Sequence, residues 1–239
     1  LVAAACKADL YENWTDVSGI LMADPRIVEN PSPISKITYS ELRELAYMGA
    51  SVLHEDSVAP VKDAGIPLNI RNTNEPDHLG TMIVERIDEQ SLEHDRFITG
   101  IAGKKNFVIL TVTKRMQGTN ETLRKVLEIL DRHKVHAEHI TIGIDQFALV
   151  LPLATLGDGL YDVISEIKGQ CKPDSVEVQD NIALVAAVGR KMIFRPGISG
   201  KLFNALGNEG INIRTIAQGS DELAIIVGVD NSQFENTIR

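Results

Sequence analysis

The pattern of apolar and polar positions divides the chain near residue 90. Before that point, residues 8–16 run to a polar tip and read as a strand, and a loop punctuated by Gly and Pro follows through Pro33. Thr38-Tyr-Ser-Glu41 has the spacing of a capping box, and Leu42, Leu45, Ala46 and Gly49 then fall at helical intervals. A second short helix fits residues 57–64, and residues 67–71 and 81–84 read as closing strands. Residues 85–97 are charged and poor in apolar side chains, as a linker between domains would be.

Beyond the linker the pattern repeats. Slid by 76 positions, Leu123-Arg-Lys-Val-Leu-Glu-Ile-Leu130 lies over Ser199-Gly-Lys-Leu-Phe-Asn-Ala-Leu206. Val135 falls on Ile211, Ala137 on Ile213, Ile140 on Ile216, Gly143 on Gly219, Asp145 on Asp221 and Phe147-Ala-Leu-Val-Leu151 on Leu223-Ala-Ile-Ile-Val227, without a gap over 29 residues. Each copy begins with a strand (107–113; 182–188), continues through a loop into an amphipathic helix (122–133; 197–209), and then pairs two strands across a Gly/Asp turn. The first copy adds a helix at 160–168 and a strand near Val176, which completes a ferredoxin-like βαββαβ unit. The second copy reaches Arg239 inside its last helix, without a closing strand. The strand-like and otherwise unassigned segment 97–102 could supply it, which would insert the first copy into the second. The expected division is 1–90, 91–180 and 181–239, with strand 97–102 assignable to the last part. Residues 1–7 read as the last turns of a helix that begins upstream, so a longer protein is expected.

Composition narrows the function. The formal net charge is -9, from 24 Lys and Arg against 33 Asp and Glu, which argues against nucleic acid or an anionic membrane as the main partner. No apolar run reaches the ~18 to 20 residues that a membrane helix needs. Cys6 and Cys171 form no spaced cluster, so neither a disulfide framework nor a zinc site is expected, and a cytoplasmic location fits.

Trp14-Thr-Asp-Val-Ser-Gly19 and Ala23-Asp-Pro-Arg26 form the first chemical constellation. A strand ending in Thr and Asp, then a Gly turn and an Asp-Pro corner, suits the rim of a nucleotide pocket beyond the strand ends of an open α/β sheet. Arg26 could pair with a phosphate. An ordinary Asp/Gly turn would look the same locally. His54 has no ligand or carboxylate at a useful spacing and reads as structural. His133, His136 and His139 recur every third residue but straddle the end of a helix, so no metal is expected there.

The order Trp-Thr-Asp-Val-Ser-Gly-Ile, Ala-Asp-Pro-Arg-Ile-Val, Glu-Leu-Ala-Tyr-Met-Gly-Ala-Ser-Val-Leu-His, Gly-Ile-Pro-Leu-Asn-Ile-Arg-Asn-Thr and Gly-Thr-Met-Ile resembles the end of the aspartate kinase catalytic domain. The tandem repeat, with Phe194-Arg-Pro-Gly-Ile-Ser-Gly-Lys-Leu-Phe and Ile211-Asn-Ile-Arg-Thr-Ile-Ala-Gln, resembles the paired ACT domains of those enzymes. The resemblance implies an α/β and α+β chain: the C-terminal part of an amino-acid-kinase-type open sheet, then two ferredoxin-like ACT units. It implies transfer of the γ-phosphoryl group of ATP, with Mg2+, to the side chain of L-aspartate, and feedback by lysine, threonine or both. It also implies a homodimer formed through the ACT units.

Carried over residue by residue, the resemblance implies that Thr15 and Asp16 contact the nucleotide. Leu21, Met22, Ala23, Asp24, Pro25 and Arg26 then form the rest of that wall. Ser51 stands where many relatives carry a phosphate-facing Lys, and it supplies no charge. The catalytic residues of the family fall outside this chain. For the effector, Met116, Thr119, Thr122, Leu123 and Glu138 match the pocket of lysine-sensing members. A free helix N-terminus there would take the carboxylate, and Glu138 the ammonium. Lysine-sensing members usually have Asp where Glu138 stands and a hydroxyl where Gly143 stands, so lysine and threonine both remain open. Asn212, Ile213 and Gln218 of the second copy match positions that face an ACT–ACT interface or bind threonine in relatives. Two other readings remain: a regulatory module without catalysis, and an amino-acid kinase with another acceptor.

Overall fold

The computed structural model describes residues 1–50, 53, 55–87, 98–115, 119–190, 192, 196–219 and 223–239. They form two compact units. Unit 1 holds Leu1–Lys104, Val185–Val227 and Gln233–Arg239, and unit 2 holds Lys105–Leu184 and Gly228–Ser232. These units cut across the linear division 1–90, 91–180 and 181–239, because long strands carry the chain from one unit into the other.

Unit 1 opens with α1 (Val2–Ala5) and β1 (Tyr11–Thr15), followed by the short ribbon of β2 (Ile20–Leu21) and β3 (Pro33–Ile34). Then come β4 (Lys36–Thr38), α2 (Tyr39–Tyr47), α3 (Glu55–Asp63), β5 (Leu68–Asn72) and β6 (Thr81–Val84). The sheet order is β1-β5-β6-β4. β1 runs parallel to β5 and β4 parallel to β6, while β5 and β6 are antiparallel. Ile37, Leu68, Ile70 and Ile83 of this sheet and Leu45 of α2 are buried.

The capping box forms as its spacing requires. Thr38 Oγ1 accepts from the Glu41 N–H at 3.2 Å, and Glu41 Oε2 accepts from the Thr38 N–H at 2.9 Å. Such a cap is worth ~1 kcal/mol and fixes where the helix starts. The first turn of α2 then buries Tyr39, whose hydroxyl donates to Ile66 O at 2.7 Å. Burial pushes that phenol up to about 12, with the Glu85 charge adding to the shift, so it stays a donor.

Two strands expected as separate elements, 97–102 and 107–113, are one strand, β7 (Ile98–Thr113). Asn106 sits inside it at φ 71°. The sequence there, Gly103-Lys-Lys-Asn106, looks like a turn because Asn tolerates the left-handed region. Likewise the strand near Val176 and the strand 182–188 are one, β10 (Ser175–Gly189), with Asn181 at φ 57°.

Unit 2 contains the later part of β7, α4 (Thr119–Arg132), β8 (His139–Ile142), β9 (Gln146–Pro152), α5 (Leu153–Leu156), α6 (Leu160–Cys171) and the first part of β10. Its strand order, β10-β7-β9-β8, is that of a ferredoxin-like fold. β7 and β9 pair antiparallel from Phe107↔Pro152 to Thr113↔Gln146. One face of the sheet meets both helices: Val108, Leu110, Val112, Phe147, Leu149 and Leu151 pack with Val126, Ile129 and Leu130 of α4 and Val163 and Ile167 of α6.

The rest of unit 1 is the second copy: the later part of β10, α7 (Ile198–Asn208), β11 (Thr215–Gln218), β12 (Ala224–Asp230, shared with unit 2) and α8 (Phe234–Ile238). Its order is β11-β12-β10-β7, so residues 98–104 of β7 occupy the closing-strand place. The first copy is thereby inserted into the second. An apolar cavity of about 310 Å³ lies among Ile98, Val185, Leu202, Ile225 and Ile238. Among the described residues no helix is long and apolar enough to cross a membrane.

Candidate functional site

Thr15 ends β1, and its register partner on β5 is Asn72. Its carbonyl accepts from the Thr73 N–H at 2.8 Å and from the Thr73 hydroxyl at 3.0 Å, while its own hydroxyl donates to Asp16 Oδ1 at 3.2 Å. The next turn is held from the far end of β5. Asn72 Nδ2 donates to Ser18 Oγ at 2.7 Å, and Ser18 Oγ donates to Glu75 Oε2 at 2.6 Å. Gly19 follows at φ 99°, and a Cβ there would meet Thr81 Oγ1 at 2.4 Å, so only Gly fits. Thr81 is fully buried: its hydroxyl accepts from the Ile20 N–H at 2.8 Å and donates to Ile34 O at 2.6 Å. These bonds fix the turn that leads from Asp16 to Leu21.

The corner at Asp24 is internally bonded. Asp24 Oδ1 accepts from the Arg26 N–H at 2.9 Å, and the guanidinium reaches the same carboxylate at 3.0 Å through Nε and 2.6 Å through its Nη2. Hydrogen bonds from Arg26 hold the Asp24 carboxyl below the usual carboxylate range, and Asp24 raises Arg26 in return. Arg26 is largely exposed and keeps its charge at the rim. Met22 N–H donates to Ser32 O at 2.9 Å, tying the corner to the residue before β3. The structure thus makes two hydrogen-bonded pairs of the expected nucleotide residues, Thr15 with Asp16 and Asp24 with Arg26. Ser51 lies outside the described residues.

In unit 2, Thr119 opens α4 and its hydroxyl donates to Ile144 O at 3.1 Å. Thr122 is buried, and Leu123 packs on the unit's core. Glu138 is half-buried just before β8, with its N–H donating to Val150 O at 2.8 Å. Met116 lies outside the described residues. In unit 1, Asn212 and Gln218 are exposed and Ile213 half-buried, with Gln218 ending β11. His133 is engaged by Glu166 of α6 at 2.8 Å. Among the described residues no cluster of three or more His, Cys, Asp or Glu side chains is placed to hold a metal.

Comparison with known proteins adds the decisive observation. Residues 1–72 match the amino acid kinase family and residues 185–239 match the ACT domain. Over its full length the chain is 34% identical to Aspartokinase 3 of Bacillus subtilis, covering 52% of that protein. The aspartate kinase structure from Clostridium acetobutylicum is 50% identical, with a TM-score of 0.91 over 99% of this chain and 54% of that one. The chain is similar to one part of the aspartate kinases, with an amino acid kinase segment followed by an ACT segment. It spans about half the length of these relatives. Aspartokinase III of E. coli, solved with aspartate and ADP, is 28% identical at a TM-score of 0.81 over all of this chain and 52% of that one. Solved with lysine and aspartate, the same enzyme gives 0.78 over 99% of this chain and 52% of that one.

Sequence reasoning missed the buried polar residues that shape the turn after β1 and the start of α2. Thr81 was legible only as a strand residue, and Asn72 as the end of a strand. Glu41 was read as one half of a capping box, which uses a single carboxylate oxygen. Its complete burial, and the partners on its other oxygen, depend on residues 58 and 149 positions away.

Proposed function

We propose that this chain is the nucleotide side and the regulatory part of an enzyme that phosphorylates L-aspartate with Mg·ATP. One side-chain carboxylate oxygen attacks the γ-phosphorus, the bond from that phosphorus to ADP breaks, and 4-phospho-L-aspartate forms. This would be the first step towards lysine, threonine and methionine. The observation that carries the reading is similarity along the whole chain to aspartate kinases, kinase segment and ACT segments together. Thr15, Asp16 and residues 21–26 would contact the nucleotide, with Arg26 the cation of that wall. Catalysis of this type rests on positioning and charge stabilisation, and the remaining cations would come from parts of the enzyme outside this chain.

Kinship with the E. coli enzyme solved with lysine supports lysine as an effector, and threonine is the other candidate. The effector would lie at the start of α4, with Glu138 facing its ammonium. Exposed Ile142 at the end of edge strand β8, and Ile144 just after it, support a homodimer formed through the ACT units. Two free cysteines suit a reducing cytoplasm. A second reading, an amino-acid-sensing module without catalysis, is favoured by the self-contained βαββαβ core of unit 2.

The test is to assay the full-length protein with Mg·ATP and L-aspartate, trapping the acyl phosphate with hydroxylamine. Hydroxamate formation from aspartate and not from glutamate is expected. ADP release without hydroxamate would point to another acceptor, and no turnover at all would favour the sensing module.

A further inference from the structure

A buried carboxylate is tolerable only when donors surround it. Glu41 is 0% exposed, and both of its oxygens are engaged. Oε2 accepts from the Thr38 N–H at 2.9 Å and the Thr38 hydroxyl at 2.7 Å, which completes the cap of α2. Oε1 is not needed for the cap. It accepts from the Thr99 hydroxyl on β7 and from Arg190 Nε, just after β10, at 2.9 Å. Arg190 also donates to Lys36 O at 3.2 Å through its Nη2. One carboxylate therefore joins the start of α2 to β7 and to the residue that follows β10.

The same strand holds the nucleotide wall. β9 pairs with β7 from Phe107 onward, so residues 98–104 have an edge that β9 does not cover. Unpaired edge N–H groups need acceptors. Ile101 N–H donates to Met22 O at 2.6 Å, two residues along from Thr99. Gly100 lies between them, where a Cβ would stand 3.0 Å from Leu45 of α2 and 3.3 Å from Met22 O. Arg239 Nε donates to Ile27 O at 3.0 Å, at the other end of the Asp24 corner. Lys104 lies 4.9 Å from the centre of the Tyr47 ring at the end of α2.

We propose that Glu41, Arg190 and Thr99 are positioning residues that lock β7 to α2, and thereby set the Met22–Ile27 loop for nucleotide binding. β7 is the strand that continues into unit 2, so its register is what the effector-bearing copy can alter. A ligand changes affinity elsewhere only through an element with two arrangements, and this joint is where β7 meets the nucleotide side. The inference rests on the proposed nucleotide role of residues 21–26 and not on aspartate as the acceptor.

The test uses Arg190→Met, Arg190→Lys and Thr99→Val. In the 239-residue chain, hydrogen–deuterium exchange is followed for peptides covering 21–27, 39–47 and 119–132. In the full-length protein, ADP affinity is measured by calorimetry. Arg190→Met should speed exchange in 21–27 and 39–47 and leave α4 unchanged. It should weaken ADP about fivefold, the low end of typical coupling between sites. Arg190→Lys keeps the charge but not the fork, and should recover part of the affinity. Thr99→Val should act in the same direction, more weakly. Unchanged exchange in 21–27, or faster exchange with unchanged ADP affinity, would overturn the proposal. Faster exchange in α4 as well would mean general loosening and would overturn it too. Failure of the aspartate assay with these effects intact would reject the acceptor and leave the joint standing.

Discussion

The two βαββαβ copies share a strand order and a gapless stretch of sequence, yet they are closed differently. Unit 2 covers its sheet with two long helices, and Val163, Ile167 and Cys171 of α6 are buried in its core. The second copy has α7 and the five-residue α8, and a cavity of about 310 Å³ opens among Ile98, Leu202, Ile225 and Ile238. Its own polar closure is the set of bonds from β7 and Arg190 to Glu41, Lys36 and Met22. One copy is built as a module that can rest on its own core. The other is built into the lobe it would regulate.

The largest expected effect tests that difference directly. Leu149→Ala should destabilise unit 2 by about 2 to 5 kcal/mol, because Leu149 is fully buried in the core of that unit. Leu202→Ala should cost unit 1 only about 1 to 2 kcal/mol, since Leu202 is only partly buried and already borders a cavity. Urea unfolding followed by separate probes in each unit would measure both. Equal costs would mean that the second copy is packed as tightly as the first.

The effector should also separate the copies. Glu138→Ala in the full-length enzyme is expected to raise the inhibitory concentration of lysine or threonine at least about tenfold, ~1.4 kcal/mol of lost coupling. Gln218→Ala should change it little. Inhibition curves for both amino acids, alone and together, decide this. The reverse result would move the effector pocket to the second copy.

A smaller effect concerns pH. Burial lowers the pKa of His139 below its ordinary 6.5, with Glu138 opposing the shift. The unfolded chain therefore binds the proton more readily than the folded one. The His139 contribution to unit 2 stability is present above pH 6.5 and is lost as pH falls through the lowered folded value. His139 Nε2 is buried without a partner, so a proton there would have no acceptor. Melting temperatures should fall from pH 7.5 to 5.5, and His139→Gln should flatten that slope. Glu166, held low by hydrogen bonds from Arg132 and His133, loses its contribution only below 4.5 and belongs to a different pH window.

The smallest stability effect is expected at the Asp24–Arg26 corner. Arg26 is exposed, so Arg26→Ala should leave the melting temperature unchanged while raising the KM for ATP more than the KM for aspartate. An equal rise in both constants would make the corner a structural turn.

Much of the fold was legible in the sequence because its signals are local. The Thr38–Glu41 cap, the stripe of α2 and the 76-residue repeat need only spacing to be seen. The elements that were misread, β7 and β10, each pass through an Asn in the left-handed region, which has the same local chemistry as a turn. Only the pairing of both halves in one strand order distinguishes the two cases. The candidate site divides the same way. Thr15, Asp16 and residues 21–26 stand out as a motif, whereas Thr81, Thr99 and Arg190 carry no motif at all. Their importance comes from burial and from partners far away in sequence. Sequence by itself determined the helices, the repeat and which residue types could meet a phosphate or an ammonium, since these follow from side-chain chemistry and period. Tertiary structure alone decided that one carboxylate, Glu41, should serve both as a helix cap and as the joint to Arg190 and β7. Which donors surround a buried charge depends on contacts between distant segments, and no local pattern encodes them.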